Sequence, residues 1–220
     1  MTAERKRVGV LVSGRGSNLQ ALIAAAQAPD YPAEIALVIS NRPEAKGLEH
    51  ARAAGIAARV IDHKDFATRA DFDGALIEAL AAADVELIAL AGFMRLFTPG
   101  FVAHWHDRMI NIHPSLLPLF PGLDPHGQAL AAGVKLHGCT VHFVRDATDS
   151  GPIVGQAAVP VLPGDTAESL AARVLRAEHQ LYPRCLRLVA EGRIRVEGEQ
   201  AVIMTEAAES QAGPLINPPE

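Results

Sequence analysis

The sequence predicts an α/β protein: a doubly wound, mostly parallel sheet with helices on both faces, followed by a C-terminal strand-loop-helix lobe. Three observations carry this. Short apolar runs at residues 8–12, 34–39, 58–61, 86–91 and 109–112 alternate with stretches of helical periodicity. The first runs are apolar throughout rather than every second residue, as strands buried on both faces are. The first, fourth and fifth runs lead into Gly-bearing or polar segments, and ligands bind such sheets outside the carboxyl ends of the strands.

The elements follow in order. Residues 8–12 end in Ser13-Gly14, and residues 17–28 read as a helix. The run at 34–39 is closed by Ser40-Asn41-Arg42-Pro43, and a helix then continues to about Ala54, where Gly55 ends it. After the strand at 58–61, Phe72, Leu76, Ala79, Leu80 and Ala83 recur at helical spacing between Thr68 and Ala83. The pattern changes after residue 135. Residues 139–144 and 153–161 read as strands flanking a loop that holds Asp149, and 166–190 as a long helix with Asp165 at its N-cap and Gly192 past its end. A hairpin around Gly198 is expected over 193–204, and a flexible tail beyond.

Composition limits the functions open to this fold. The 220 residues are 49% hydrophobic but only 5% aromatic, so Ala, Val, Leu and Ile fill the core of one domain. The net charge is -5 and the one basic run is Arg5-Lys6-Arg7, which argues against a nucleic-acid partner. Two cysteines, Cys139 and Cys185, make no disulfide framework and read as buried small hydrophobes. Neither a signal-peptide pattern nor an uncharged apolar stretch of spanning length is present, so no membrane partner and a cytoplasmic setting are expected. The nine histidines lack metal-ligand spacing, and no metal is expected.

The chemistry is most legible in Asn111-Ile112-His113-Pro114-Ser115-Leu116-Leu117-Pro118. In a strand, positions i and i+2 share a face, so Asn111 and His113 point into one site and the prolines stop the strand beyond them. An amide and an imidazole together suit addition to a carbonyl: one donates to the developing oxyanion, the other moves a proton. Asp149 adds a carboxylate from the acidic loop that ends in Gly151-Pro152. The first loop, Gly14-Arg15-Gly16-Ser17-Asn18-Leu19, has two glycines of a dinucleotide fingerprint but Leu19 in place of the third. With no acid ending the second strand, NAD is not expected. The loop remains an anion cradle built on free N–H groups and the Ser17 and Asn18 side chains. Arg15, His126 and His142 stand close to these segments, with roles left open. As an isolated mid-helix pair, Glu178-His179 reads as a solvated face.

Taken together, these motifs resemble phosphoribosylglycinamide formyltransferases, the folate-dependent family of purine synthesis, over nearly the whole chain. The resemblance is carried by Val12 to Gln20, Ser40 to Pro43, Leu90 to Arg95, Asn111 to Pro118 with Pro121-Gly122-Leu123, His137 to His142, Asp149 to Pro152, and Ala177-Glu178-His179, in matching order. It implies a Rossmann-like formyltransferase fold and formyl transfer from 10-formyltetrahydrofolate to glycinamide ribonucleotide. The implied catalytic set is Asn111, His113 and Asp149. Gly16, Ser17 and Asn18 would hold the substrate phosphate, and Glu178 the amine-bearing side. Arg69, Met94, Arg95, Leu96, Phe97, Asn111, Val144 and Asp149 would serve the folate.

The implied organisation is a single domain over 1–205, with a phosphate-substrate lobe at 1–105, a catalytic and folate-binding lobe at 106–205, and a flexible tail at 206–220. Methionyl-tRNA formyltransferases share the core but carry a C-terminal barrel for which this chain has no room. Formyltetrahydrofolate deformylases typically add an N-terminal domain. Monomer and homodimer both remain open. So do a formyltransferase or deformylase acting on another substrate and a non-enzymatic nucleotide- or folate-binding regulator.

Overall fold

The computed structural model describes residues 5–204. Its centre is one seven-stranded sheet made of β1 (Lys6–Val12), β2 (Ala33–Ser40), β3 (Ala57–Val60), β4 (Leu87–Leu90), β5 (Met109–His113), β6 (Leu136–Phe143) and β7 (Ile153–Pro160), in the order β3-β2-β1-β4-β5-β6-β7. The first five strands pair in parallel, and β5-β6 and β6-β7 pair antiparallel. Each parallel strand returns through a helix: α1 (Ser17–Ala26), α2 (Gly47–Ala53), α3 (Arg69–Ala81) and α4 (Pro99–His104). The short α5 (Pro125–Ala131) precedes β6, and the long α6 (Ala167–Ala190) packs back across the sheet. A two-stranded hairpin, β8 (Ile194–Glu197) and β9 (Gln200–Ile203), follows as expected.

Alternation along β1 explains the two core layers. Val8, Val10 and Val12 face one side, where they join Leu19 and Leu22 of α1 and Tyr182 and Leu186 of α6. Leu11 faces the other side with Leu37, Ile39, Phe72, Leu76, Leu80 and Phe101. Tyr182 is fully buried, and its hydroxyl lies 2.9 Å from the Leu90 carbonyl and 3.2 Å from that of Ile110, which pins α6 to β4 and β5.

Two features depart from the sequence pattern. Thr166, not Asp165, caps α6: its side chain accepts from Ser169 N, and Ser169 reciprocates in a capping box. Asp165 stands one residue outside, accepting from Leu162 N and held by Arg173, so its carboxyl titrates well below the usual range. Helices α4 and α5 are six and seven residues long, too short to show a period; their visible signal is a capping Thr98 or Asp124 followed by Pro at the first turn. The tail expected at 206–220 lies outside the described residues.

Candidate active site

Sheet order reverses at β1, with β2 on one side and β4 on the other, so the loops leaving β1 and β4 lie next to each other at the switch point. The chain leaves β1 through Ser13 and enters α1 at Gly16, whose φ of 73° is left-handed and which brings no capping side chain. Glycine is needed there twice over, because a Cβ would also lie 2.6 Å from the Gly47 Cα. The Gly47 N–H donates to the Gly14 carbonyl at 3.1 Å, bracing the loop against α2. The first-turn N–H groups of α1 are therefore free of a side-chain cap, as an anion cradle requires.

Asn18, in that first turn, donates through Nδ2 to Glu178 Oε2 at 2.7 Å. Glu178 is 6% exposed on α6, and burial raises its pKa against the opposing effect of Asn18. The solvated-face reading of Glu178 is thus corrected. What hid it in the sequence was the partner, 160 positions away.

The antiparallel pairing of β5 with β6 builds the next layer. Asn111 sits directly opposite His142, and His113 opposite Thr140. Asn111 Nδ2 lies 3.2 Å from His142 Nε2, while His142 Nδ1 is 2.9 Å from the Phe143 carbonyl. The carbonyl can only accept, so Nδ1 carries the proton and Nε2 accepts from Asn111. Burial lowers the pKa of His142 and keeps it in this neutral form.

His113 is 6% exposed. Its Nε2 donates to the Phe120 carbonyl at 3.0 Å, and its Nδ1 faces Asp149 Oδ2 at 3.3 Å. Both ring nitrogens thus meet acceptors, an arrangement that the doubly protonated ring satisfies completely. Asp149 Oδ2 also accepts from Gly122 N at 2.8 Å, and Oδ1 lies 4.0 Å from His142 Nε2. Asp149 holds φ 50°, a left-handed conformation that Asp tolerates, at the turn before Gly151-Pro152. Asn111 with His142 and His113 with Asp149 thus form two bonded pairs at β5, 4.0 Å apart between His142 Nε2 and Asp149 Oδ1. The contacts of Phe120 and Gly122 had no signal in the sequence, because they act through backbone atoms.

The remaining candidates stand on other segments. Met94 and Leu96 are each 60% exposed on the loop after β4, and Arg95 is exposed beside them. Phe97 stacks between Phe93 and Phe101, at 5.4 and 4.3 Å between ring centroids. Val144 follows β6, and its N–H donates to the Met109 carbonyl. Arg69 is exposed at the first position of α3 and makes no hydrogen bond or ion pair with the other candidates among the described residues. His126 lies 3.2 Å from the fully buried His137, outside the cluster. Among the described residues no group of three or more His, Cys, Asp or Glu could hold a metal ion, and no helix is long and apolar enough to cross a membrane.

A strand-end amide, imidazole and carboxylate on a doubly wound sheet have the chemistry that group transfer at a carbonyl needs. The formyl transferase family model matches residues 6–186, and this chain belongs to that family. It is 44% identical over 192 residues to the phosphoribosylglycinamide formyltransferase of Escherichia coli strain K12, covering 87% of this chain and 91% of that one. It is 51% identical over 201 residues to the trifunctional purine biosynthetic protein adenosine-3 of Drosophila melanogaster, but spans only 15% of that protein's length. Among solved structures, glycinamide ribonucleotide transformylase 1 of Symbiobacterium toebii superposes with a TM-score of 0.90 at 49% identity, covering 92% of this chain and 96% of that one. A formyltetrahydrofolate deformylase of Pseudomonas syringae gives 0.84 at 28% identity, with 93% of this chain and 67% of that one covered.

Proposed function

We propose that this protein transfers the formyl group of 10-formyltetrahydrofolate to the amine of 5'-phosphoribosylglycinamide, releasing tetrahydrofolate and formylglycinamide ribonucleotide in purine synthesis. The observation that carries this reading is the pair His113–Asp149 next to the pair Asn111–His142 at β5, in a chain that covers nearly all of the Escherichia coli formyltransferase. The cytoplasm is the setting this reaction implies.

In this mechanism the substrate phosphate lies on the first-turn N–H groups of α1, with Gly16 and Ser17 at the cradle and Asn18 beside them. Glu178 holds the glycinamide side. Met94, Arg95, Leu96, Phe97, Arg69 and Val144 receive the folate. The amine attacks the formyl carbon, and negative charge gathers on the former carbonyl oxygen. The Asn111 N–H not engaged by His142 stabilises that oxygen, and an N–H of the His113 ring reaches it by giving up the Phe120 carbonyl. The amine proton must leave and the folate nitrogen must gain one before it departs; His113 and water ordered by Asp149 carry that transfer. Holding both substrates at adjacent strand ends removes an entropic barrier of order 7 kcal/mol or more when the geometry is close to that of attack.

The boundary at residue 105 describes a division of labour in which the phosphate loop precedes it and the catalytic trio follows it. The Gly92–Phe97 folate loop precedes it and Glu178 follows it, so each substrate draws on both halves.

The deciding experiment incubates purified protein with 10-formyltetrahydrofolate, with and without 5'-phosphoribosylglycinamide. This reading expects formylglycinamide ribonucleotide and tetrahydrofolate in equal amounts, and no folate turnover without the amine. Release of formate in the absence of the amine would instead indicate deformylase chemistry, and folate binding with no turnover a regulatory protein.

A further inference from the structure

We infer that Ser13 and Asp73 are positioning residues for the folate co-substrate, clamping the two ends of the Gly92–Phe97 loop from outside the catalytic cluster. The inference rests on the proposed function for the identity of the ligand, but its physical basis is independent of it.

The loop presents two large apolar side chains, Met94 and Leu96, to solvent at 60% exposure each. The stretch Met94–Leu96 has little burial of its own to hold it, although Phe93 belongs to the core. At its start, the Ser13 N–H donates to the Gly92 carbonyl at 3.1 Å and Ser13 Oγ accepts from the Met94 N–H at 2.8 Å. The direction of the second bond is settled by the first use of the hydroxyl: its proton goes to Asn41 Oδ1 at 2.6 Å, leaving a lone pair for Met94. Ser13 and Asn41 are buried at 4% and 1% exposure, and Asn41 Nδ2 lies 3.3 Å from His63 Nδ1. At the loop's far end, Asp73 Oδ2 accepts from both the N–H and the hydroxyl of Thr98, each at 2.7 Å. Thr98 in turn caps α4.

Asp73 is 2% exposed on a helix whose neighbouring buried side chains are Phe72 and Leu76, and its Oδ1 has no hydrogen-bond partner among the described residues. A buried carboxylate with one oxygen unsatisfied is a costly way to hold a helix cap. A loop fixed in its binding shape is what that arrangement secures. Between the clamps the Phe93, Phe97 and Phe101 rings stack, so the exposed Met94 and Leu96 rise from a rigid base. A surface ordered before the ligand arrives does not lose that entropy on binding. Ser13 also stands immediately before the anion loop, so one residue anchors the folate loop to the strand that carries the phosphate cradle.

The test uses Ser13→Ala and Asp73→Ala, with Asp73→Asn as the conservative variant because it retains an acceptor oxygen. Hydrogen exchange followed by NMR should show the Met94 amide of Ser13→Ala and the Thr98 amide of Asp73→Ala exchanging about tenfold faster, the scale of one lost hydrogen bond. In steady-state assays both Ala variants should raise KM for 10-formyltetrahydrofolate by about tenfold while KM for 5'-phosphoribosylglycinamide changes less than about twofold, and Asp73→Asn should recover most of the loss. Unchanged exchange at both amides, or equal increases in the two KM values, would overturn the inference. Should the parent protein not formylate 5'-phosphoribosylglycinamide, the proposed function falls. The clamp is then judged by exchange and by calorimetric titration with a folate analogue, where unaltered affinity in both Ala variants counts against it.

Discussion

Asn111 and His142 are direct partners across the antiparallel β5-β6 pair, and their side chains meet at 3.2 Å. Because His142 spends its one proton on the Phe143 carbonyl, it can only accept from Asn111. The amide is thereby held with its nitrogen toward the imidazole, and its second N–H remains available to the reaction. The orientation of an amide in the site is thus set one strand away.

His142→Ala removes that constraint. The expected result is a fall in kcat of roughly tenfold or more with little change in either KM, since an oxyanion donor acts mainly in the transition state. Steady-state kinetics decide; a rise in the KM for one substrate at constant kcat would assign His142 to binding instead.

Asn18→Ala should weaken 5'-phosphoribosylglycinamide far more than the folate. It alters the first turn of α1 and also strips Glu178 of its 2.7 Å partner. Calorimetry with each ligand checks this, and equal losses for both would move the phosphate site elsewhere.

The sequence pattern located these features unevenly. The sheet strands were visible, the parallel β1, β2, β4 and β5 as mostly apolar runs and the antiparallel β6 and β7 as apolar stretches flanking the Asp149 loop, and Asn111 and His113 were visible because i, i+2 spacing survives in any strand. The pairing of Asn111 with His142 depended on β6 returning antiparallel to β5, which puts the two residues opposite each other. A single chain read in order carries no mark of that register. Asp73 was hidden for a related reason: an acid on a helix reads as solvated until Thr98 is seen against it. Asp165 misled because it is a good capping residue standing beside another, and Thr166 has the capping-box partner.

The protein should lose stability on acidification. His137 is fully buried, and burial, reinforced by His126, brings its pKa down to about 4 from an ordinary 6.5. Burial lowers His126, His142 and His179 in the same direction. The unfolded chain therefore binds more protons between about pH 6.5 and 4, and stability falls as pH drops through that window. Urea unfolding at a series of pH values should show this fall, with a shallower slope in His137→Gln. A flat profile would mean these rings are accessible to protons in the folded state.

Asp149→Asn preserves size and an acceptor for Gly122 N while deleting the charge beside His113. Formyl transfer should slow by about tenfold or more while the affinity for both substrates stays close to the parent's. A rate close to the parent's in the folded variant would remove Asp149 from the reaction.

The most direct test of the central claim is a single-turnover measurement of formyl transfer by His113→Asn, with both substrates bound at saturation and folding verified by thermal unfolding. His113 as the group that moves the proton predicts a rate lowered by roughly a hundredfold to ten-thousandfold with ligand affinities close to the parent's. A rate near that of the parent in the folded, saturated variant would contradict it.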